Sequence, residues 1–294
     1  MSDAKGHPKG GQNPGTDRTA ASGSDEGVSG LPKAVALVLK PFRVFLTALG
    51  AHLLLLVDAA VWLFRRPFRP RLFFDQMEYI GVGSLPIVLL VGFFSGAVSA
   101  LQAINALSIF DQSRWVGVMV GVSLAEELAP VFAGLMIAAR AGSGMATELG
   151  SMRITEQIDA LTTFAVNPVQ YLVTPRLIAS TVMVPVLTMA FNLIGLFGAY
   201  IVSILVHELD IGQVTGLFTY WVDIRHYVKG LCKAAVFGLA LALTACYQGF
   251  NVRGGAKEVG LATTRSVVAG SVSILVLDYF LIEILNALWP VASE

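Results

Sequence analysis

Charge is scarce in this chain. Only 14% of its 294 residues are charged and 55% are hydrophobic, against about 25% charged in ordinary globular domains. That deficit excludes a soluble globular protein. The charges are also unevenly spread: 17 of the 40 lie in residues 1–80, leaving 23 for the other 214 positions. Lys+Arg and Asp+Glu stand at 20 each, so no global field invites nucleic acid. Cysteine is almost absent. Cys232 and Cys246 lie 14 apart in one apolar stretch, roughly 21 Å along a helix and too far for a disulfide. The four histidines (His7, His52, His207, His226) show no ligand spacing and there is no HExxH or CxxC, so no metal site is expected. No Gly-Lys dipeptide occurs, which excludes a Walker A loop; any ATP would be bound by another chain.

What remains is long apolar runs. Residues 79–110 and 177–206 carry no charge, and 115–139 is interrupted only by Glu126 and Glu127. Residues 229–250 make a fourth span, and 266–289 a fifth that contains Asp278 and Glu283. Each suffices to cross a bilayer, which needs about 20 residues. The stretch 44–64 would bury His52 and Asp58. Its basic flanks, with Trp62, Phe64 and Phe68, fit a helix lying in the membrane interface. Residues 1–30, with seven glycines and no Leu, Ile or aromatic, read as a disordered tail. Five spans with a cytoplasmic N-terminus place thirteen basic residues inside and four outside, as the positive-inside rule requires. The expected fold is all-α: an interfacial region at 31–75, then five transmembrane helices within 76–290.

Glu126 and Glu127 lie roughly 16 Å into the second span, where an acid costs about 2.5–3.5 kcal/mol on insertion scales. One of them is expected to pair with Lys233. Gly92-x-x-x-Gly96, Gly117-x-x-x-Gly121, Gly195 and Gly198 suit close helix packing in lipid. After Arg140, Gly142-Ser143-Gly144 reads as a turn ending the span. A cytoplasmic amphipathic helix is then expected over about 145–163, with Ile154, Ile158 and Leu161 on one face. Such a helix suits docking of a cytoplasmic partner.

The runs Glu127-Leu128-Ala129-Pro130, Ala139-Arg140-Ala141-Gly142-Ser143, Glu148-Leu149-Gly150, Met152-Arg153, Thr155 through Leu161, and Asn167-Pro168 resemble the MlaE/YrbE-type permease family. Thr263 through Val268 and Leu277-Asp278-Tyr279-Phe280 extend the likeness. These are membrane subunits of ABC lipid transporters that work with MCE-domain proteins. The resemblance implies a permease homodimer in the bacterial inner membrane, with N-terminus cytoplasmic and C-terminus periplasmic. It implies a cytoplasmic ABC ATPase that binds the ATP and Mg, an MCE-domain periplasmic partner, and phospholipid as cargo. No cofactor and no catalysis fall to this chain. It also implies a coupling helix at 145–163, with Arg140, Glu148, Arg153, Glu156 and Asp159 toward the ATPase. Lipid would meet Ser99, Gln102, Ala106, Leu107 and Phe110, with Glu127 below. The family usually has Arg-Glu-Leu-Gly-Pro where this chain has Glu126-Glu127-Leu128-Ala129-Pro130, which reverses one buried charge. Two rivals stand beside this: a proton-coupled carrier of an amphiphile using Glu126, Glu127 and Asp278, and a non-transporting membrane anchor for MCE proteins.

Overall fold

The computed structural model describes residues 33–63, 65 and 69–289. The tail at 1–30, and Phe64 and Phe68 of the interfacial stretch, lie outside the described residues. The chain divides into two units, residues 1–49 and 50–294. The first contributes the helical residues 33–49, with Leu46 and Leu49 exposed.

Among the described residues every regular element is helical. In chain order they are α1 (Lys33–Leu63), α2 (Pro70–Ser108), α3 (Ser113–Ile154), α4 (Gln157–Thr163), α5 (Val169–Val206), α6 (Ile211–Trp221), α7 (Ile224–Phe250) and α8 (Ala256–Leu288). The five expected spans appear as α2, α3, α5, α7 and α8. Leu46–Leu63 is a sixth helix long and apolar enough to cross a membrane.

Close approaches give each helix its direction. Gly81 packs on Met183, Gly92 on Phe191 and Ile194, and Gly96 on Gly195, so α2 and α5 run parallel. Gly230 meets Ala125, Gly134 meets Phe237 and Gly249 meets Ala146, so α3 and α7 run parallel too. The loop at 109–112 returns α3 antiparallel to α2. Ile274 beside Gly134 and Thr263 bonded to Thr147 at 2.7 Å set α8 antiparallel to α3. Thus α2, α5 and α8 point one way, α3 and α7 the other. The tightest crossing is at Gly96, where a Cβ would fall on the Gly195 carbonyl. The small residues noted in the sequence therefore let backbones of one chain approach one another.

Two expectations need correction. Span two does not stop at Arg140. The helix continues through Gly142-Ser143-Gly144 to Ile154. Gly144 serves contact rather than a turn, since a Cβ there would overlap the Tyr79 hydroxyl. Nor is 145–163 one helix. Glu156 sits in the left-handed region at φ 59° and separates the end of α3 from α4. Ile158 is still buried, with Ile154 and Leu161 half-buried.

Wide π-type turns interrupt α3 at Leu124–Leu128 and Ala138–Gly142. The first accommodates Pro130, which lacks an N–H and whose ring crowds the carbonyl one turn back. Ala129 N–H bonds instead to the Leu124 carbonyl, five residues earlier.

Residues 52–59 pack against α7 and α5. The His52 ring lies 4.1 Å from that of Tyr247, three residues from the end of α7. Thr174, near the start of α5, donates to the Ala59 carbonyl at 3.4 Å. Both contacts fall near the same end of the bundle, at the end of α7 and the start of α5.

Candidate functional site

The π-type turn at 124–128 presents both glutamates to α7, where His226, Lys229 and Lys233 follow at i, i+3 and i+7 on one face. Lys233 Nζ lies 3.0 Å from each carboxylate oxygen of Glu127 and 2.8 Å from Asp278 Oδ1 on α8. The expected partnership of an acid with Lys233 is thus made by Glu127. Glu126 takes other partners: His226 Nδ1 at 2.7 Å and Lys229 Nζ at 3.7 Å. Lys229 also donates to Asn286 Oδ1 at 2.8 Å.

Three carboxylates therefore face two lysines and a histidine. Lys229 and Lys233 are only 3% and 2% exposed, whereas the Glu127 side chain is 40% exposed. Charges this deep persist only when matched. Glu127 is the most exposed of the three acids. His226, Lys229 and Asn286 were not singled out in the sequence. The 226/229/233 spacing was the available signal, but Lys229 was counted as an outer flank.

The α2 residues form a separate surface. Ser99, Gln102 and Ala106 follow one stripe of α2 at helical spacing, with Leu107 beside it and Phe110 in the loop that follows. Gln102, Ala106 and Phe110 are exposed, Ser99 and Leu107 half-buried. The ion pair of Glu127 goes to Lys233 on α7 instead. No hydrogen bond among the described residues ties Glu127 to this stripe.

At the opposite end, Glu148, Glu156 and Asp159 are exposed. Arg153 Nη1 holds Asp159 Oδ1 at 2.7 Å across the Glu156 break. Glu148 is bound at 2.6 Å by Arg176, which also donates to the Leu172 carbonyl at 2.7 Å. Arg176 is 3% exposed and escaped notice in the sequence as the edge of a charge-free run. Arg140 is engaged inside the bundle. It donates to the Tyr79 carbonyl at 2.8 Å and Ser84 Oγ at 3.2 Å, and stacks 5.2 Å from the Tyr79 ring.

Arg176→Lys should weaken the joint between α3 and α5, because an ammonium cannot reproduce the fork that spans Glu148 and Leu172. A loss of about 1–2 kcal/mol is expected, read as a lower melting temperature in detergent. An unchanged melt would show the guanidinium to be idle.

A profile of the family described as Permease MlaE matches residues 73–284. A probable ABC transporter permease protein of Rickettsia felis is 40% identical over 243 residues, 82% of this chain and 93% of the relative. The intermembrane phospholipid transport system permease protein MlaE of Haemophilus influenzae is 35% identical, covering 71% of this chain and 81% of its own length. The protein TRIGALACTOSYLDIACYLGLYCEROL 1 of Arabidopsis thaliana, a chloroplastic protein, is 32% identical over 70% of this chain and 59% of its own length. With six apolar helices and these matches, the chain is a multi-pass membrane protein and belongs to the MlaE permease family.

Proposed function

We propose that this chain is the membrane subunit of an ABC transporter that moves phospholipid between the inner membrane and an MCE-domain partner. The observation that carries the reading is the similarity to the Haemophilus phospholipid-transport permease over 71% of the chain. Two copies pair through their exposed α2 stripes and hold lipid between Ser99, Gln102, Ala106, Leu107 and Phe110. A separate cytoplasmic ATPase binds ATP and Mg and docks on Glu148, Arg153, Glu156 and Asp159. The N-terminus is cytoplasmic, and in the sequence the basic residues Arg65, Arg66, Arg69 and Arg71 beside Trp62 support an interfacial α1 rather than a sixth span.

The left-handed Glu156 supports the docking role. A side chain at this φ costs about 1 kcal/mol or more that glycine would avoid, and such outliers concentrate at switch regions. ATP-driven closure would push the connector and bias two arrangements of the spans with different lipid affinity. The carrier reading is less favoured, since its three acids are each matched by a base on α7.

The test is Glu156→Lys with Asp159→Lys in the purified complex. Lipid transport and lipid-stimulated ATP hydrolysis should fall to background while the permease still folds. Transport at the wild-type rate would refute ATPase docking here and revive the carrier.

A further inference from the structure

Where residues 52–63 meet α5 there are two adjoining cavities, one of mixed lining and one apolar. One, of about 260 Å³, is lined by Trp62, Arg65, Arg69, Asn167, Gln170 and Tyr171 among others. The second, of about 200 Å³, is apolar, with Leu56, Ala60, Ile178, Thr181 and Leu239 in its wall. Leu63 and Thr174 line both, so the two adjoin.

Two guanidinium groups on exposed side chains line the mixed cavity, and no carboxylate answers them among the described residues. The Arg65 guanidinium lies 4.9 Å from the Trp62 ring centre and that of Arg69 lies 5.3 Å from Tyr171. Stacking fixes a guanidinium while leaving its edge N–H groups free. Those edges match phosphate oxygens in forked pairs. The frame around them is itself secured. Gln170 Nε2 donates to the Arg65 carbonyl at 2.8 Å, and Asn167 Oδ1 accepts from the Val169 and Gln170 amides.

We infer that these cavities form a binding site for one anionic phospholipid, apart from the α2 stripe proposed for cargo. The phosphate lies between Arg65 and Arg69, and the upper part of one acyl chain enters the apolar cavity. Below it Val182 and Val186, both exposed and four residues apart on α5, continue an apolar track for the rest of the chain. A soluble phosphate would leave the apolar half empty. A choline headgroup would bring a cation of its own to a doubly cationic cavity. Basic pockets between helices near an anionic leaflet are favourable lipid sites. That this end faces the cytoplasmic leaflet rests on the orientation proposed above. Lipid here would tie the end of α1 to the start of α5 without being transported.

The experiment is a thermal melt of the purified permease, without ATPase or MCE partner, titrated with phosphatidylglycerol, phosphatidylcholine or inorganic phosphate in detergent. Native mass spectrometry would count the lipid retained. Phosphatidylglycerol should raise the melting temperature and leave an adduct at lower concentration than phosphatidylcholine. Arg65→Gln with Arg69→Gln should raise its half-maximal concentration about tenfold without changing the lipid-free melt. Thr181→Phe, which fills the apolar cavity and keeps both arginines, should do the same. An unaltered phosphatidylglycerol response in the double glutamine variant would overturn the site. A response to inorganic phosphate equal to that of phosphatidylglycerol would overturn the lipid assignment. The readout is binding to the permease alone, so a failed transport assay leaves this result standing and the reverse.

Discussion

Lys233→Met should destabilise the permease by about 3–5 kcal/mol, the cost of removing one partner from a buried charge cluster. The lysine is 2% exposed and its Nζ serves Glu127 and Asp278 together. Its loss leaves two carboxylates facing one another in a low-dielectric setting. The stem itself fits methionine well, so the damage is electrostatic rather than a cavity. Adding Glu127→Gln and Asp278→Asn to Lys233→Met should recover most of the lost stability, because neutral amides need no counter-charge. Folded yield and melting temperature in detergent read both effects. If the single variant melts with the wild type, the three groups do not hold α3, α7 and α8 together. If the triple variant folds and yet moves no lipid, the charges serve transport beyond stability.

Gly96→Val should be as damaging. A Cβ at 96 would coincide with the backbone of Gly195, and backbone has no rotamer by which to escape. Overpacking in a core costs about 1–3 kcal/mol, and a clash with main chain belongs at the top of that range or above it. The expected result is loss of the folded species on size exclusion. Gly216→Val is the control, because nothing lies within 4 Å of the position a Cβ would take there. That variant should purify like the wild type. Equal yields of the two would mean that α2 and α5 are not held at this crossing.

Hydropathy and charge asymmetry were enough to read α2, α3, α5, α7 and α8 from the sequence, since both act over tens of residues. Pairing one of the two glutamates with Lys233 was also within reach, because few cations lie at that depth. The fate of Glu126 was not. It depends on the π-type turn at 124–128, and a regular 100° step per residue cannot reproduce that turn. Gly142-Ser143-Gly144 misled for a related reason. Glycine clusters commonly punctuate helices, but here the demand came from Tyr79 on another helix, which local sequence does not reveal. Arg176 was hidden by position: at the edge of an apolar run it resembles a membrane flank, and only the fold brings Glu148 to it. The α2 stripe came from family likeness, and its exposure in one chain is compatible with a second copy covering it.

That α3 runs from Ser113 to Ile154 without a loop has a mechanical consequence. Forty-two helical residues span roughly 60 Å, about twice the hydrocarbon core of a bilayer. A displacement applied at Ile154 therefore reaches the glutamates as strain in a single rod, with no hinge loop to absorb it. Each wide turn in that rod is one surplus residue in the ladder. Sliding the surplus along by one position re-aims the side chain it passes by about 100° and leaves those beyond it in place. A short push at one end can thus turn a chosen side chain within the span while the rest of the rod keeps its face.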